Sequence, residues 1–203
     1  MSCATVGFGP GTPTPTVWDP MAWKPPSPIA VPTMTDEERA SRRLADLQEF
    51  ATLHRIKPTR TPPLERWTLP DDQAVPVSAC LRDSGWTAKA VPNGHLQTEV
   101  EEGQRSAQKL AQYDCMARFS IDPRFMIQPT QQMYVAVWTY FKDYGIPCLA
   151  RFGIAPDHPL PTRETFVATN GLWGLYPTNA EVPAEVQAVC PQLPPTRAMF
   201  ELG

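Results

Sequence analysis

Proline decides where this chain can be regular. The ring holds φ near about −65° and removes a backbone donor, so proline ends helices and is excluded from the middle of sheets. Of the 203 residues 25 are proline, and they are unevenly placed. Eight fall between Pro10 and Pro32, whereas residues 35–57 and 93–122 contain none. The proline-free windows are where helices can form. The crowded start, with Thr12-Pro13-Thr14-Pro15-Thr16 and Lys24-Pro25-Pro26-Ser27-Pro28, favours extended polyproline backbone, which behaves as a semi-rigid spacer. The spacing therefore predicts a tether over residues 1–34 and a single globular domain over 35–203. Trp18, Met21 and Trp23 sit oddly in a spacer. Large aromatics usually serve burial, so this patch is expected to pack back onto the domain, with a partner surface as its other use.

The first proline-free window predicts a helix from about Asp36 to Arg55. Thr35 with Glu38 three residues on makes a capping box, and Asp36 and Glu37 suit the positive end of the helix dipole. Ala40, Leu44, Leu47 and Ala51 recur at helical spacing and define its expected apolar face.

An internal echo follows. Cys115-Met-Ala-Arg-Phe-Ser-Ile-Asp-Pro123 matches Cys148-Leu-Ala-Arg-Phe-Gly-Ile-Ala-Pro156, and Cys80-Leu-Arg-Asp-Ser-Gly-Trp86 is a looser copy. Each reads as a helix end with an inward cysteine. Gly85 and Gly153 fall where a Schellman motif needs positive φ, and Ser120 takes that slot in the middle copy. The contact pairs of the motif, Leu81 with Trp86, Met116 with Ile121 and Leu149 with Ile154, are all apolar. The helices leading in are expected at Glu99–Phe119, carrying Ala107, Leu110, Ala111, Tyr113 and Cys115, and at Gln131–Tyr144, carrying Tyr134, Val137, Trp138 and Phe141. The second face is the most aromatic in the chain, and it reads as core or as a ligand groove. Between them, Trp86, Ala88 and Ala90 alternate with polar residues before Pro92-Asn93-Gly94 and the run His95 to Thr98, which predicts a two-stranded hairpin. A short helix is expected at Ala184–Val189, within otherwise irregular coil. The fold class is thus α+β, mainly α: a helical domain with a small β-hairpin, two disulfides and much proline-rich coil.

Cys80, Cys115, Cys148 and Cys190 are even in number and lack the close spacing of zinc or redox motifs. Four cysteines allow three pairings, and four buried thiols are the alternative. The expected arrangement is sequential, Cys80–Cys115 and Cys148–Cys190. Disulfides belong to oxidising compartments, so the pairing carries an expectation of export.

Several motifs occur in a fixed order: Pro63-Leu-Glu-Arg-Trp-Thr-Leu-Pro70, Cys80-Leu-Arg-Asp-Ser-Gly-Trp86, Tyr113-Asp-Cys115, Pro147-Cys148-Leu, Trp173-Gly-Leu-Tyr-Pro177 and Cys190-Pro-Gln-Leu-Pro194. The series, over about residues 60–195, resembles an uncharacterised group of secreted proteins and lipoproteins from actinobacteria. The resemblance implies an envelope location and structural disulfides, and no particular activity. Met1-Ser2-Cys3-Ala4 looks like the end of a lipoprotein signal joined to its acylated cysteine, with an ordinary N-terminus and a stray cysteine as the other reading; no basic n-region or apolar h-region precedes it.

No catalytic, cofactor-binding or metal-ligating set stands out. His54, His95 and His158 are far apart and match no zinc motif; there is no G-x-S-x-G elbow and no P-loop. Gly7-Phe8-Gly9-Pro10-Gly11 has no strand before it. A net charge of −3 gives no footprint for nucleic acid. Asp71 with Asp72 reads as a turn, and Glu99, Glu101 and Glu102 as a helix start. The expected function is that of a non-enzymatic, exported cell-envelope protein. It meets the membrane only through a lipid on Cys3 and binds an envelope partner or cell-wall component. Trp18, Trp23, Tyr134 and Trp138 are its candidate ligand or partner surface. The alternative is a hydrolase of envelope polymers with its site near Trp138.

Overall fold

The structure is a computed structural model that describes residues 18–202. Cys3 and the first proline–threonine run lie outside the described residues. The fold is mainly helical with one antiparallel hairpin and two disulfides, Cys80–Cys115 and Cys148–Cys190.

Helix α1 spans Asp36–Leu53, and its capping box forms: the Glu38 amide donates to Thr35 Oγ1 at 3.1 Å and the Thr35 amide to Glu38 Oε2 at 2.7 Å. The helix stops two residues before the expected end, and Arg55 takes a positive φ of 54°. Its inward face also differs from the expected one. Leu47 and Ala51 are buried, but Ala40 is exposed and Leu44 is 50% exposed. The line that faces the protein is Arg39, Arg43, Leu47 and Ala51, each four residues from the last. Arginines hold the first half because they have carbonyls and a carboxylate to meet. Arg43 donates to the Ala117 carbonyl through Nη2 at 2.6 Å and to the Pro62 carbonyl at 2.7 Å, and Arg39 donates to Asp122 at 3.1 Å.

Those bonds explain the middle cysteine unit. Helix α2, Ala74–Asp83, ends as expected: Gly85 has φ 85° and the Trp86 amide donates to the Leu81 carbonyl. The third unit repeats this at Gly153, φ 70°, with Ile154 on Leu149. Helix α3, Arg105–Arg118, has no glycine at that place and makes no such motif. Its last carbonyls are met by the Ser120 hydroxyl, which donates to Met116 at 2.8 Å and to Ala117 at 3.3 Å, and by donors from outside. Arg43 takes Ala117, the Glu65 amide takes Arg118, and the Thr68 amide takes Ser120. A helix end without its own cap must find partners elsewhere. Arg43→Met keeps the length and apolar stem but removes the donors, and is expected to lower stability by about 2–3 kcal/mol in urea denaturation.

The hairpin pairs β1, Thr87–Val91, with β2, His95–Glu99, in the register Thr87 to Glu99 and Val91 to His95. A three-residue turn, Pro92–Gly94, joins them. Gly94 has φ 75°, and a Cβ there would lie 2.8 Å from Asp71 Cα, so glycine is required twice over. Because Glu99 completes the ladder, α3 begins at Arg105 and not at Glu99 as expected. Its buried side chains are Gln108, Tyr113, Cys115 and Ala117, while Ala107 and Leu110 face outward.

Helix α4, Gln131–Tyr140, continues through a wide π turn, Phe141–Gly145, into α5, Ile146–Ala150. Pro147 supplies no amide to the carbonyl four residues back, and the widened turn before it absorbs that loss. Gly145 lets buried Leu175 into the turn, since a Cβ there would lie 2.7 Å from Leu175 Cδ2. Short helices α6, Arg163–Ala168, α7, Ala184–Val189, and α8, Thr196–Met199, pack around this axis. The α7 span is the expected one. The tryptophan patch packs back: Trp18 meets Tyr144 and Trp23 meets Tyr140 edge to face, each at 5.3 Å, and Ile29 is buried with Ala136, Met199 and Phe200. The segment runs antiparallel to α4, where Gln132 Nε2 donates to the Pro28 carbonyl at 2.7 Å. The patch from Trp18 to Ile29 thus packs onto the domain, as its aromatics suggested, within the stretch read as a tether.

Candidate functional site

The aromatic helix builds the site from two sides. On one side, Tyr140 and Tyr144 are buried, and burial pushes both hydroxyls well above the ordinary tyrosine range. They stay protonated and donate. Tyr144 bonds the Val189 carbonyl at 2.7 Å, Tyr140 the Pro191 carbonyl at 2.7 Å, and Tyr176 the Cys190 carbonyl between them at 2.8 Å. Three hydroxyls thus hold three consecutive carbonyls, and the second disulfide ties the same loop to α5. This clamp sets the direction of the chain that follows, Leu193-Pro194-Pro195, which forms a wall.

On the other side, Tyr134, Val137 and Phe141 open onto a cleft of about 340 Å³. Trp173 and the Leu193–Pro194 wall face them, and Phe200 from the end of α8 contributes to the lining. Gly171, φ 74°, lets the Tyr134 ring approach: a Cβ would lie 3.1 Å from its edge. No charged side chain lines the cleft among the described residues; its polar groups come from Tyr134, Asn170 and Thr196. Size and lining are those of a small-molecule or side-chain pocket.

A second hollow of about 620 Å³ adjoins it and shares Pro70, Leu193, Pro194 and Thr196 with it. Pro20, Met21, Pro92 and Gln192 are among its other walls. Asp71 and the exposed His95 are its titratable side chains among the described residues. The Thr196 amide donates to Asp71 Oδ2 at 3.0 Å, which caps α8, while Oδ1 is buried with no hydrogen-bond partner. The Asp71–Asp72 pair does lie in a turn, and its role is to hold the C-terminal helix.

Of the four aromatic candidates, Tyr134 alone lines the cleft. Trp138 is turned away: its indole donates to the Pro161 carbonyl at 2.9 Å and the Lys142 ammonium lies over its ring. Trp18 and Trp23 pack on the core, as described. Cys80, Cys115, Cys148 and Cys190 are structural crosslinks. Glu99, Glu101 and Glu102 are exposed and start no α-helix. Trp173, Phe200 and the Leu193–Pro194 wall were not singled out by periodicity, because they come from coil and short helices. Trp173 and the Leu193–Pro194 wall did stand in the ordered motifs, which assign them no role; for Phe200 the available signal was the aromatics and prolines dense in a stretch with no helical or strand repeat. Among the described residues no group of histidine, cysteine and carboxylate is placed to hold a metal, and no helix is long and apolar enough to cross a membrane. The chain matches no family model, no curated protein and no solved structure.

Proposed function

We propose that this is a non-enzymatic protein of the cell envelope, lipid-anchored through Cys3, that binds a partner or cell-wall component through the cleft beside α4. The observation that carries this is the cleft itself. It is preformed and aromatic, and among the described residues no carboxylate, histidine or cysteine lines it; Asp71 and His95 line only the adjoining hollow, where Asp71 accepts from the Thr196 amide. A hydrolase at the aromatic helix would need an acid there. Two disulfides point to an oxidising, extracellular environment, which suits an envelope protein. The proline-rich start and the Ser2-Cys3-Ala4 sequence supply the spacer and the acylation position.

The test has two arms. Native protein should partition into detergent and carry a lipid mass on Cys3 that Cys3→Ala removes; a wholly aqueous, unmodified protein overturns the anchor. A photo-crosslinker at Leu193 in intact cells should capture an envelope component. Release of sugars or peptides from purified cell wall would overturn the non-enzymatic reading.

A further inference from the structure

The two crosslinks sit in opposite surroundings. Cys148 and Cys190 are fully buried behind the tyrosine clamp. Cys80 and Cys115 instead form part of the wall of an open groove of about 580 Å³, between α2, α3 and the coil at Pro62 and Pro63. We propose that Cys80–Cys115 is a thiol–disulfide exchange site, opened reversibly by a partner that carries a pair of thiols. The proposal goes beyond the binding role of the cleft and does not depend on it.

Exchange needs a thiolate to reach one sulfur, and a place for the charge of the sulfur that leaves. Cys80 is the more exposed of the pair, 6% against 1%, so its sulfur is the point of attack. The field around the sulfurs is otherwise hostile to a thiolate. Both cysteines lie in the last turn of their helices, at the negative end of the dipole, and Glu65 and Asp114 line the same groove. Arg118 answers that field. Its Nε donates to Glu65 at 2.6 Å, which leaves Nη1 to donate to Cys80 Sγ at 3.4 Å. It follows Cys115 by three residues on α3, so the same guanidinium stands beside both sulfurs. A cation so placed favours the thiolate over the thiol. Arg60 is the other cation lining the groove.

The step runs in two displacements. The partner's thiolate bonds to Cys80 Sγ, the Cys80–Cys115 bond breaks, and Cys115 leaves as a thiolate that takes a proton from water. The partner's second thiolate then attacks its own sulfur in the mixed disulfide and releases Cys80. The protein gains two electrons and two protons, and the partner becomes the disulfide. Pro63, Trp86 and Leu110 give a peptide-borne thiol an apolar surface to lie against.

The experiment uses the oxidised full chain and dithiothreitol, an uncharged dithiol, added for graded times. Acid quenching, alkylation and peptide mapping read each crosslink separately. Cys80–Cys115 should open at least about tenfold faster than Cys148–Cys190. Arg118→Gln should slow that opening about threefold or more and leave Cys148–Cys190 unchanged, and Arg118→Lys should restore most of the rate. A guanidinium that only packs the groove predicts the opposite sign, since its loss uncovers the sulfur. Mercaptoethanol, a single thiol, should leave its adduct on Cys80 when the freed thiol is alkylated at once. Oxidised glutathione, added after the dithiol is removed, should re-form Cys80–Cys115. Unchanged or faster opening in Arg118→Gln overturns the proposal, as does an adduct found mainly on Cys115, Cys148 or Cys190. Crosswise pairs after reoxidation overturn its reversibility.

Discussion

Replacing Cys148 and Cys190 together with alanine is expected to cost about 4 kcal/mol, from the chain entropy released when a 42-residue link is opened. Domains of ordinary stability have about 5–15 kcal/mol in total, so the melting temperature should fall by about 8–16 °C. The loss concentrates in one place. The crosslink and the three tyrosine hydroxyls all hold residues 189–191, so the Leu193–Pro194 wall should loosen first. Calorimetry reads the melting shift, and hydrogen exchange across residues 184–200 reads its location; a shift under 3 °C would show that the hydroxyls alone hold the loop. The other crosslink closes a link of similar length but has different surroundings. Cys148 and Cys190 are 0% exposed, whereas Cys80 is 6% exposed and lines an open groove, with Arg118 Nη1 donating to its sulfur at 3.4 Å. Limited reduction followed by alkylation and peptide mapping should therefore label Cys80 and Cys115 before Cys148 and Cys190, because exchange needs a thiolate to reach the sulfur.

Phe141→Ala should cost about 3–5 kcal/mol, the range for emptying a buried aromatic site. Phe141 opens the π turn and is buried against Phe166 at 5.8 Å edge to face and Trp173 at 5.0 Å. Those two rings reach it from α6 and from the coil after it, so the cavity left behind has rigid walls on several sides and will collapse only in part. The same side chain lines the cleft, so binding of a neutral solvatochromic dye such as Nile red should weaken with stability. Phe141→Leu separates the two effects: it keeps most of the core volume while removing the flat face, and should cost less stability while still weakening the dye. Urea denaturation and dye titration together decide between these outcomes.

Repeats and caps were legible because they are local. Thr35 with Glu38 settles where α1 begins without reference to anything far away, and Gly85 and Gly153 mark helix ends through a φ that other residues adopt at a cost. The aromatic helix was also visible, but its inner and outer faces were not. Periodicity puts Tyr134 and Trp138 on one stripe, and in the structure only Tyr134 reaches the cleft, because the Pro161 carbonyl claims the Trp138 indole.

By itself the sequence determined the kinds of element and the caps of α1, α2 and α5, which follow from short-range spacing; the sequential cysteine pairs were one of three arrangements open to Cys80, Cys115, Cys148 and Cys190, and the structure chose among them. Tertiary structure alone decided what the polar face of a helix was for. Arg43 looks like a solvated residue in sequence and is in fact the cap of a helix 74 residues away. It also decided what the tryptophan patch packs on: its aromatics already suggested burial, but nothing in residues 18–34 names the Tyr140 and Tyr144 rings that meet Trp23 and Trp18. The cleft belongs to that second class. Its walls come from four separate segments, and no pattern along the chain records that buried tyrosine hydroxyls, held protonated by desolvation, turn one of those segments toward the others.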